Sequence, residues 1–528
     1  MPTTDTPWSA CSEMSEDDLL GPDGSGSVDV CVVGGGIAGL TTAYLLACAG
    51  RSVLLFEAGP LAGGESSRTS AHLVSALDDR FTLLEHLHGR RGSQMAAESH
   101  KAAIDLIERI IGERGIECDF RRVDGYLMSA SGDMGALKRE MDAAIHAGLI
   151  VKWVEAVPGM EAWSGPALRF SRQARFDPGA YLAGLIEACA DAGVRFKTHT
   201  RVTHVREGKT LEGVITKAVD VETADGVVTH CVSAVVATNV PINDRVVLQT
   251  KMEAFRTYVI AARVPPGTCI DALVWDDGDP YHYIRLASDA LGDLLLVGGE
   301  DHKTGQSPKS EQGLVQPRKP HADLEDWMRA RFPTAGEIVH AWSGQIIEPV
   351  DSLAYIGLNP GNQHIYVIAG DSGNGLTHAT LGANLVSDLI RGLPNAWEEL
   401  YRPSRISLLA ATEYAGHNAN VLRQYGDWVT AGDVSSIDEV PVGAGCVVRN
   451  GLHPIAAYRD DRGGLHTCSA ICPHLGGMVR WNGLEKTWDC PCHGSRFSTT
   501  GAVLNGPCNV DLAPVDLTTS TPTVAVVA

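Results

Sequence analysis

The chain has 528 residues, a formal charge of −21, 44% hydrophobic residues and 20% charged residues. That length exceeds one ordinary domain, so roughly three or four folding units are expected, with the composition of a soluble globular protein. The acidic balance and the lack of any Lys/Arg run argue against a nucleic-acid partner, because phosphate contacts are made by clustered cations.

Residues 1–27 read as an N-terminal extension. They contain no basic region followed by an apolar stretch, so no secretory signal is expected. No segment approaches about eighteen uninterrupted apolar residues, so no membrane span is expected either. The 13 Cys are scattered, and Cys31, Cys48 and Cys231 lie in apolar runs, which reads as core packing rather than a disulfide framework. A cytoplasmic location is expected.

Residues 28–59 begin with an apolar run of strand length, turn through glycines, enter a helical period and return to a second apolar run, which predicts a βαβ unit. Gly34, Gly36 and Gly39 carry the G-x-G-x-x-G spacing at the strand-to-helix turn. The first allows the turn, the second lets backbone approach a pyrophosphate, and the third packs helix on strand. Glu57 follows about twenty residues on, where an acid accepts the adenosine ribose hydroxyls.

This fingerprint alone serves FAD and NAD equally; later segments separate them. Residues 60–80 form a Gly, Ser and Thr rich loop suited to wrapping a diphosphate and flavin, with Ser66, Arg68, Thr69 and Ser70 as candidates. Residues 365–392 read as strand, glycine turn and amphipathic helix. Gly370, Gly373 and Gly375 shape a helix start that would aim N–H groups at an anionic flavin edge.

With these pieces, residues 28–405 resemble the D-amino-acid oxidase, glycine oxidase and sarcosine oxidase family of flavoenzymes. The resemblance includes Phe176-Asp177-Pro178 before a helix, the strand Ala234–Asn239, Trp342-Ser343-Gly344 and the Gly370–Gly375 turn. It also includes the strand at Arg201-Val202, where Val202 would meet adenine through its backbone. The family implies an α/β Rossmann-like FAD-binding domain with a mixed β-sheet substrate domain, here about residues 245–345. Some relatives attach flavin through a His in the loop after the βαβ unit. Aligning that loop puts Thr69, not His72, at the position, so non-covalent FAD is expected. The resemblance further implies oxidation of a C–N bond in an amine or amino acid, with Tyr283, Arg285, Gln345 and His378 as candidate pocket residues. Arg285 could hold a carboxylate bidentately. Gln345 stands where many amino-acid oxidases of the family carry an Arg.

Residues 406–432 read as a linker that is helical and then turn-like, with His417 read as a solvated helix residue. Residues 433–528 show short alternating stretches, such as Cys446–Val448 and Ile455–Tyr458, which predict an all-β antiparallel sandwich.

Within that segment stand Cys472-Pro-His474-Leu-Gly-Gly and Cys490-Pro-Cys492-His493-Gly-Ser, each offering one thiolate and one imidazole. Two of each satisfy tetrahedral zinc, and they equally fit the Rieske 2Fe-2S cluster, in which two His replace two Cys on one iron. Glycines follow both clamps, as a cluster needs for backbone N–H groups to approach its sulfides. Together with Gly506-Pro507, these strings resemble the Rieske domain family. By that resemblance Cys472 and Cys490 bind one iron and His474 and His493 the other. Respiratory-chain members join the two loops by a disulfide. Here Gly477 takes one of those positions and leaves Cys492 without that partner, and Cys508 is expected as a free thiol. Ser495 stands where a hydroxyl donates to a sulfide, and Phe497 where high-potential members carry a Tyr. A potential in the lower part of the range of about −150 to +300 mV is therefore expected.

A flavin takes two electrons and a Rieske cluster passes one at a time, so the pair implies a two-electron to one-electron converter. The leading expectation is an FAD-dependent dehydrogenase that sends electrons through the cluster to an external acceptor. An NADH-linked or cluster-fed reductase is the alternative, although no second dinucleotide fingerprint is found. A Rieske oxygenase would want a two-His, one-carboxylate iron site, and His86 and His88 lie two apart, on different sides of a helix. A redox sensor without turnover is a further class.

Overall fold

Val53–Phe56 is an unbroken apolar run and Val28–Val33 is interrupted only by Asp29, because parallel strands bury both faces, and they lie side by side in parallel with Val30 opposite Val53. Val228–Asn239 pairs on the other side, with Val32 opposite Val235. The sheet order across the centre is Tyr355–Leu358, Ile365–Ala369, Val228–Asn239, Val28–Val33, Val53–Phe56 and Arg195–Lys197, with Val202–Glu207 and Val219–Thr223 completing eight strands. The turn into the helix Ile37–Cys48 demands glycine. Gly34 has φ +110°, and a Cβ on Gly39 would lie 1.8 Å from the Gly34 carbonyl oxygen.

The computed structural model describes residues 6–8, 28–130, 132–160, 165–208, 218–243, 248–306, 319–429, 432–450 and 453–517. The expected extension 1–27 therefore lies outside the described residues except at 6–8. There Trp8 is buried in the apolar core and donates from Nε1 to the Thr69 carbonyl at 2.9 Å.

A second, nine-stranded mixed sheet runs Ile338–Pro349, Met252–Arg263, Gly292–Lys303, His282–Asp289, Leu273–Asp276, Arg121–Met128, Ala167–Arg175 and His72–Leu73, with Val151–Val154 on Ala167–Arg175. The expected span of 245–345 is thus too narrow. Leu273–Asp276 pairs in parallel with Arg121–Met128, which brings the earlier strands into the same sheet.

The chain divides into two units: Met1–Asn239 with Thr257–Asp301 and Pro320–Ala410, and Val240–Arg256 with His302–Lys319 and Ala411–Ala528. The second unit thus takes in Val240–Arg256 and His302–Lys319 besides the C-terminal segment, a division different in kind from the sequence boundaries at 405 and 433. Polar contacts explain the difference: Glu253 accepts from His417 Nδ1 at 2.8 Å, the Arg256 guanidinium pairs with Glu485, and Gln306 Nε2 donates to the Pro491 carbonyl at 3.0 Å. His417 is buried, in contrast to the solvated residue expected, because Glu253 satisfies it away from water.

Within the second unit, Gly445–Asn450, His453–Arg459 and Leu465–Ser469 form one antiparallel sheet, and Arg480–Asn482, Thr487–Asp489, Arg496–Phe497 and Val503–Asn505 another. Alternation divides the first sheet between two cores. Val447, Ala456, Tyr458 and Cys468 pack with Trp481 and Trp488, whereas Cys446, Val448, Ile455 and Ala457 pack on the opposite side with Val515. Among the described residues no helix is long and apolar enough to cross a membrane.

Candidate functional site

The helix Ile37–Cys48 starts at Gly36 with no side-chain cap. Its first amides are open to an anion, apart from Ile37 N–H, which donates to Ser66 Oγ at 3.1 Å. Glu57 ties the two ends of the turn together: Oε2 accepts from Gly35 N–H at 2.6 Å and Oε1 from Gly59 N–H at 2.9 Å. An uncapped helix start beside an anchored carboxylate fits a dinucleotide: the helix end would hold the pyrophosphate and the acid the ribose.

The loop that follows is held from the far side of the fold. Arg68 Nη1 donates to the Ser343 carbonyl at 3.2 Å, and Trp342 Nε1 donates to the Arg68 carbonyl at 2.8 Å. Thr69 Oγ1 accepts from Ala71 N–H, and Ser70 Oγ lies 3.0 Å from His72 Nδ1. Burial, with the nearby Arg285, pushes His72 down to about 3, so it stays neutral. Val202 opens its strand, buried, opposite Thr223. Gly370 N–H donates to the Asn239 carbonyl at 3.0 Å, and the helix Gly375–Ile390 again starts without a side-chain cap.

Two sequence-predicted pocket residues are turned elsewhere. Arg285 is buried, donates from Nη1 to the carbonyls of Ala71 and Phe176 at 2.8 and 3.2 Å, and lies 5.3 Å over the Trp8 ring. It braces the chain rather than presenting a carboxylate clamp, because buried carbonyls and an aromatic face compete for its charge. His378 Nδ1 bonds the Asp371 carbonyl at 2.8 Å, and its ring packs edge-on against His100 at 4.4 Å. Burial lowers it to about 4, so its imidazole is neutral. Tyr283 and Gln345 do stand near the loop and turn. Tyr283 Oη is 3.4 Å from Thr257 Oγ1, and Gln345 N–H donates to Glu65 Oε2 at 2.6 Å.

The structure adds a group of acids that the sequence reading passed over. A Cβ on Gly373 would meet Asp78 Oδ2 at 2.6 Å, and Ser372 Oγ lies 2.5 Å from Asp79 Oδ2 and 3.2 Å from Glu348 Oε2. Asp301 hydrogen-bonds the Thr257 and Tyr281 hydroxyls, and the Tyr281 and Tyr283 rings lie 5.7 Å apart. Burial pushes Asp79 and Asp301 up to about 7 and Glu348 well above the usual carboxylate range, with neighbouring carboxylates adding to each rise. The adjacent pair Asp78-Asp79 was visible in the glycine-rich loop, but its approach to Glu348 is a product of the fold.

In the second unit the two Cys/His loops are closed in the same way. Cys472 N–H donates to the Gly477 carbonyl and Gly476 N–H to the Cys472 carbonyl, at 2.8 and 3.0 Å. Cys490 N–H donates to the Ser495 carbonyl and Gly494 N–H to the Cys490 carbonyl, again at 2.8 and 3.0 Å. The thiols of Cys472 and Cys490 meet in a hydrogen bond, while the rings of His474 and His493 stand 5.0 Å apart at 88°. Thiol pairs with thiol and imidazole with imidazole, the pattern a mixed-ligand diiron cluster requires. The hydrogen bond between the two thiols lowers Cys490 well below the usual thiol value and raises Cys472 well above it, while burial lowers His493 to about 4 and keeps its imidazole neutral. Ser495 Oγ accepts from Cys508 N–H at 3.0 Å, which leaves its proton for an acceptor such as a sulfide. Phe497 is fully buried beside these loops.

Comparison with known proteins finds a family for each of the two regions. The FAD dependent oxidoreductase family matches residues 29–389, and the Rieske [2Fe-2S] domain matches residues 427–518. The chain belongs to the FAD dependent oxidoreductase family and carries a Rieske domain. It is an oxidoreductase whose cofactors are FAD and a 2Fe-2S cluster. The protein YhfW of Bacillus subtilis, named for a Rieske 2Fe-2S iron-sulfur protein, is 28% identical over 93% of both chains. Gamma-glutamylputrescine oxidoreductase of Escherichia coli is 25% identical over 69% of this chain and 84% of its own. Glycine oxidase of Geobacillus kaustophilus shares the fold of the first unit, with a TM-score of 0.57, 20% identity and coverage of 72% of this chain and 100% of its own.

Replacing Glu57 by Ala removes a charged acceptor from the dinucleotide turn. The apparent affinity for FAD is expected to fall about tenfold or more, read as the FAD concentration that half-saturates the apoprotein. An unchanged affinity would remove Glu57 from the cofactor site.

Proposed function

We propose that this protein oxidises a C–N bond of an amine-type small molecule and delivers the electrons one at a time, through its Rieske cluster, to an external acceptor. The observation that carries this reading is the presence, in one chain, of a dinucleotide turn anchored by Glu57 and a pair of thiol and imidazole loops. In this reading Gly34, Gly36, Gly39, Glu57, Ser66, Arg68, Thr69, Ser70 and Val202 hold FAD with the Gly370, Gly373 and Gly375 turn. Cys472 and Cys490 hold one iron, and His474 and His493 the other.

Bound FAD supplies a two-electron acceptor: the substrate C–H bond next to nitrogen breaks, its electron pair leaves as hydride, the nitrogen loses a proton, and water hydrolyses the resulting imine. The chain's task is to position the amine and exclude water. The buried acids beside the glycine turn support an amine over an amino acid. Asp78, Asp79, Glu348 and Asp301 are acidic, Gln345 is neutral, and Arg285 is engaged by backbone carbonyls. A cationic nitrogen would relieve the mutual repulsion of these acids, whereas a substrate carboxylate would add to it. The relative named for gamma-glutamylputrescine supports the same substrate class. The 13 scattered cysteines, with no disulfide framework in their spacing, suit a reducing, cytoplasmic setting.

Anaerobic mixing with a panel of amines, amino acids and NADH tests the reading. An amine is expected to bleach the flavin at least tenfold faster than amino acids or NADH; bleaching by NADH alone would contradict it.

The acids also set a pH dependence. Burial holds Asp301 at about 7 when folded, against about 3.9 in an unfolded chain. Between those values the unfolded chain has released a proton that the folded chain still binds, so this group lowers stability as pH rises towards 7. Asp301→Asn is therefore expected to raise the thermal midpoint at pH 8 and to leave it nearly unchanged at pH 4. Equal effects at both values would contradict the burial argument.

A further inference from the structure

Gly477 faces the second cluster loop at close range: a Cβ there would lie 2.6 Å from Cys492 Sγ and 3.3 Å from its Cβ. Backbone hydrogen bonds close each loop on itself, and Cys492 remains a free thiol, so the loops need an external constraint to stay in register. The segment ahead of the first sheet provides one. Tyr425 Oη donates to the Leu475 carbonyl at 2.6 Å, and Trp428 Nε1 donates to the Gly476 carbonyl at 3.0 Å. These carbonyls belong to the two residues that follow His474.

The same segment reaches the other loop. Gln424 Nε2 donates to Asn420 Oδ1 at 2.9 Å, Asn420 Nδ2 to Gln306 Oε1 at 3.3 Å, and Gln306 Nε2 to the Pro491 carbonyl at 3.0 Å. Pro491 lies between Cys490 and Cys492. Arg480 fixes the middle of the chain, donating from Nη2 to Gln424 Oε1 at 2.8 Å and from Nε to Asp427 Oδ2 at 2.8 Å. Gly305 lets this contact close: a Cβ on it would meet Pro491 N at 2.8 Å.

We propose that Tyr425, Trp428 and Gln306 are positioning residues that form a noncovalent clasp across the two cluster loops, holding the cluster in the protein and setting the orientation of His474. Each hydrogen bond is individually modest. Together they fix the loop carbonyls on either side of a gap that no disulfide spans. The inference rests on the cluster assignment and is independent of the substrate reading.

The test uses the full-length protein loaded with FAD and cluster. In Tyr425→Phe/Trp428→Phe an aromatic ring stays at each position and both donors go. Iron release to a chelator is expected to accelerate about tenfold or more, and the EPR spectrum of the reduced cluster to broaden, while flavin content stays at the parent level. Gly477→Cys is then added to the same protein. Its predicted Cβ separation from Cys492 is slightly shorter than the 3.5–4.5 Å usual for a disulfide, so a few tenths of an ångström of opening admits the bond. Treatment with glutathione disulfide oxidises the two thiols to a bridge and reduces the reagent to two glutathione thiols. The bridge is expected to return iron release to the parent rate and narrow the spectrum, and dithiothreitol to undo both. Where the double variant takes up no cluster, recovery of cluster content in the bridged form supports the clasp. Iron release at the parent rate in the double variant, or a verified bridge that restores neither retention nor spectrum, overturns it.

Discussion

Two short loops must be held so that their thiols face each other and their imidazoles face each other. Each Cys amide reaches the carbonyl five residues on, and each Cys carbonyl takes the amide four residues on, so the loops are near-copies joined by no disulfide. Their closeness leaves no room for a side chain at Gly477 without displacing Cys492. The antiparallel sheets, the Trp481 and Trp488 core and the segment carrying Tyr425 and Trp428 all serve this register. A cluster shared between two loops fails if either one slides.

The first unit meets a comparable constraint with different means. There backbone must touch backbone: the helix Ile37–Cys48 lies so near the preceding turn that only glycine fits at position 39. Glu57 then locks the turn through two amides. The acids around Gly373 are another matter, because burying Asp79, Glu348 and Asp301 together opposes folding. Such a cost is kept where charge has a use, and a positively charged ligand is the simplest one.

The parts legible in the sequence were those whose chemistry is local. Gly34, Gly36 and Gly39 with Glu57 are separated by little more than one βαβ unit, and each cluster loop carries both of its ligands within a few residues. Contacts between distant segments were hidden. Arg285 sits on an alternating strand that looks like a pocket edge, and only the fold reveals the Ala71 and Phe176 carbonyls beneath it. His417 lies on a helix of mixed polarity, and its partner Glu253 is far away along the chain. The assembly of Glu253, Arg256 and Gln306 with the Rieske segment had no signal in composition or period, since each is an ordinary polar residue until its partner is known.

The central claim is that flavin and cluster in one chain exchange electrons. Photoreduction of the bound flavin without air, followed by freezing at set times and EPR spectroscopy, tests it most directly. The account predicts that the reduced-cluster signal grows as the flavin takes up electrons, and that it is missing from a Cys490→Ser variant. A flavin fully reduced beside a cluster that stays oxidised, although dithionite reduces it readily, would contradict the account.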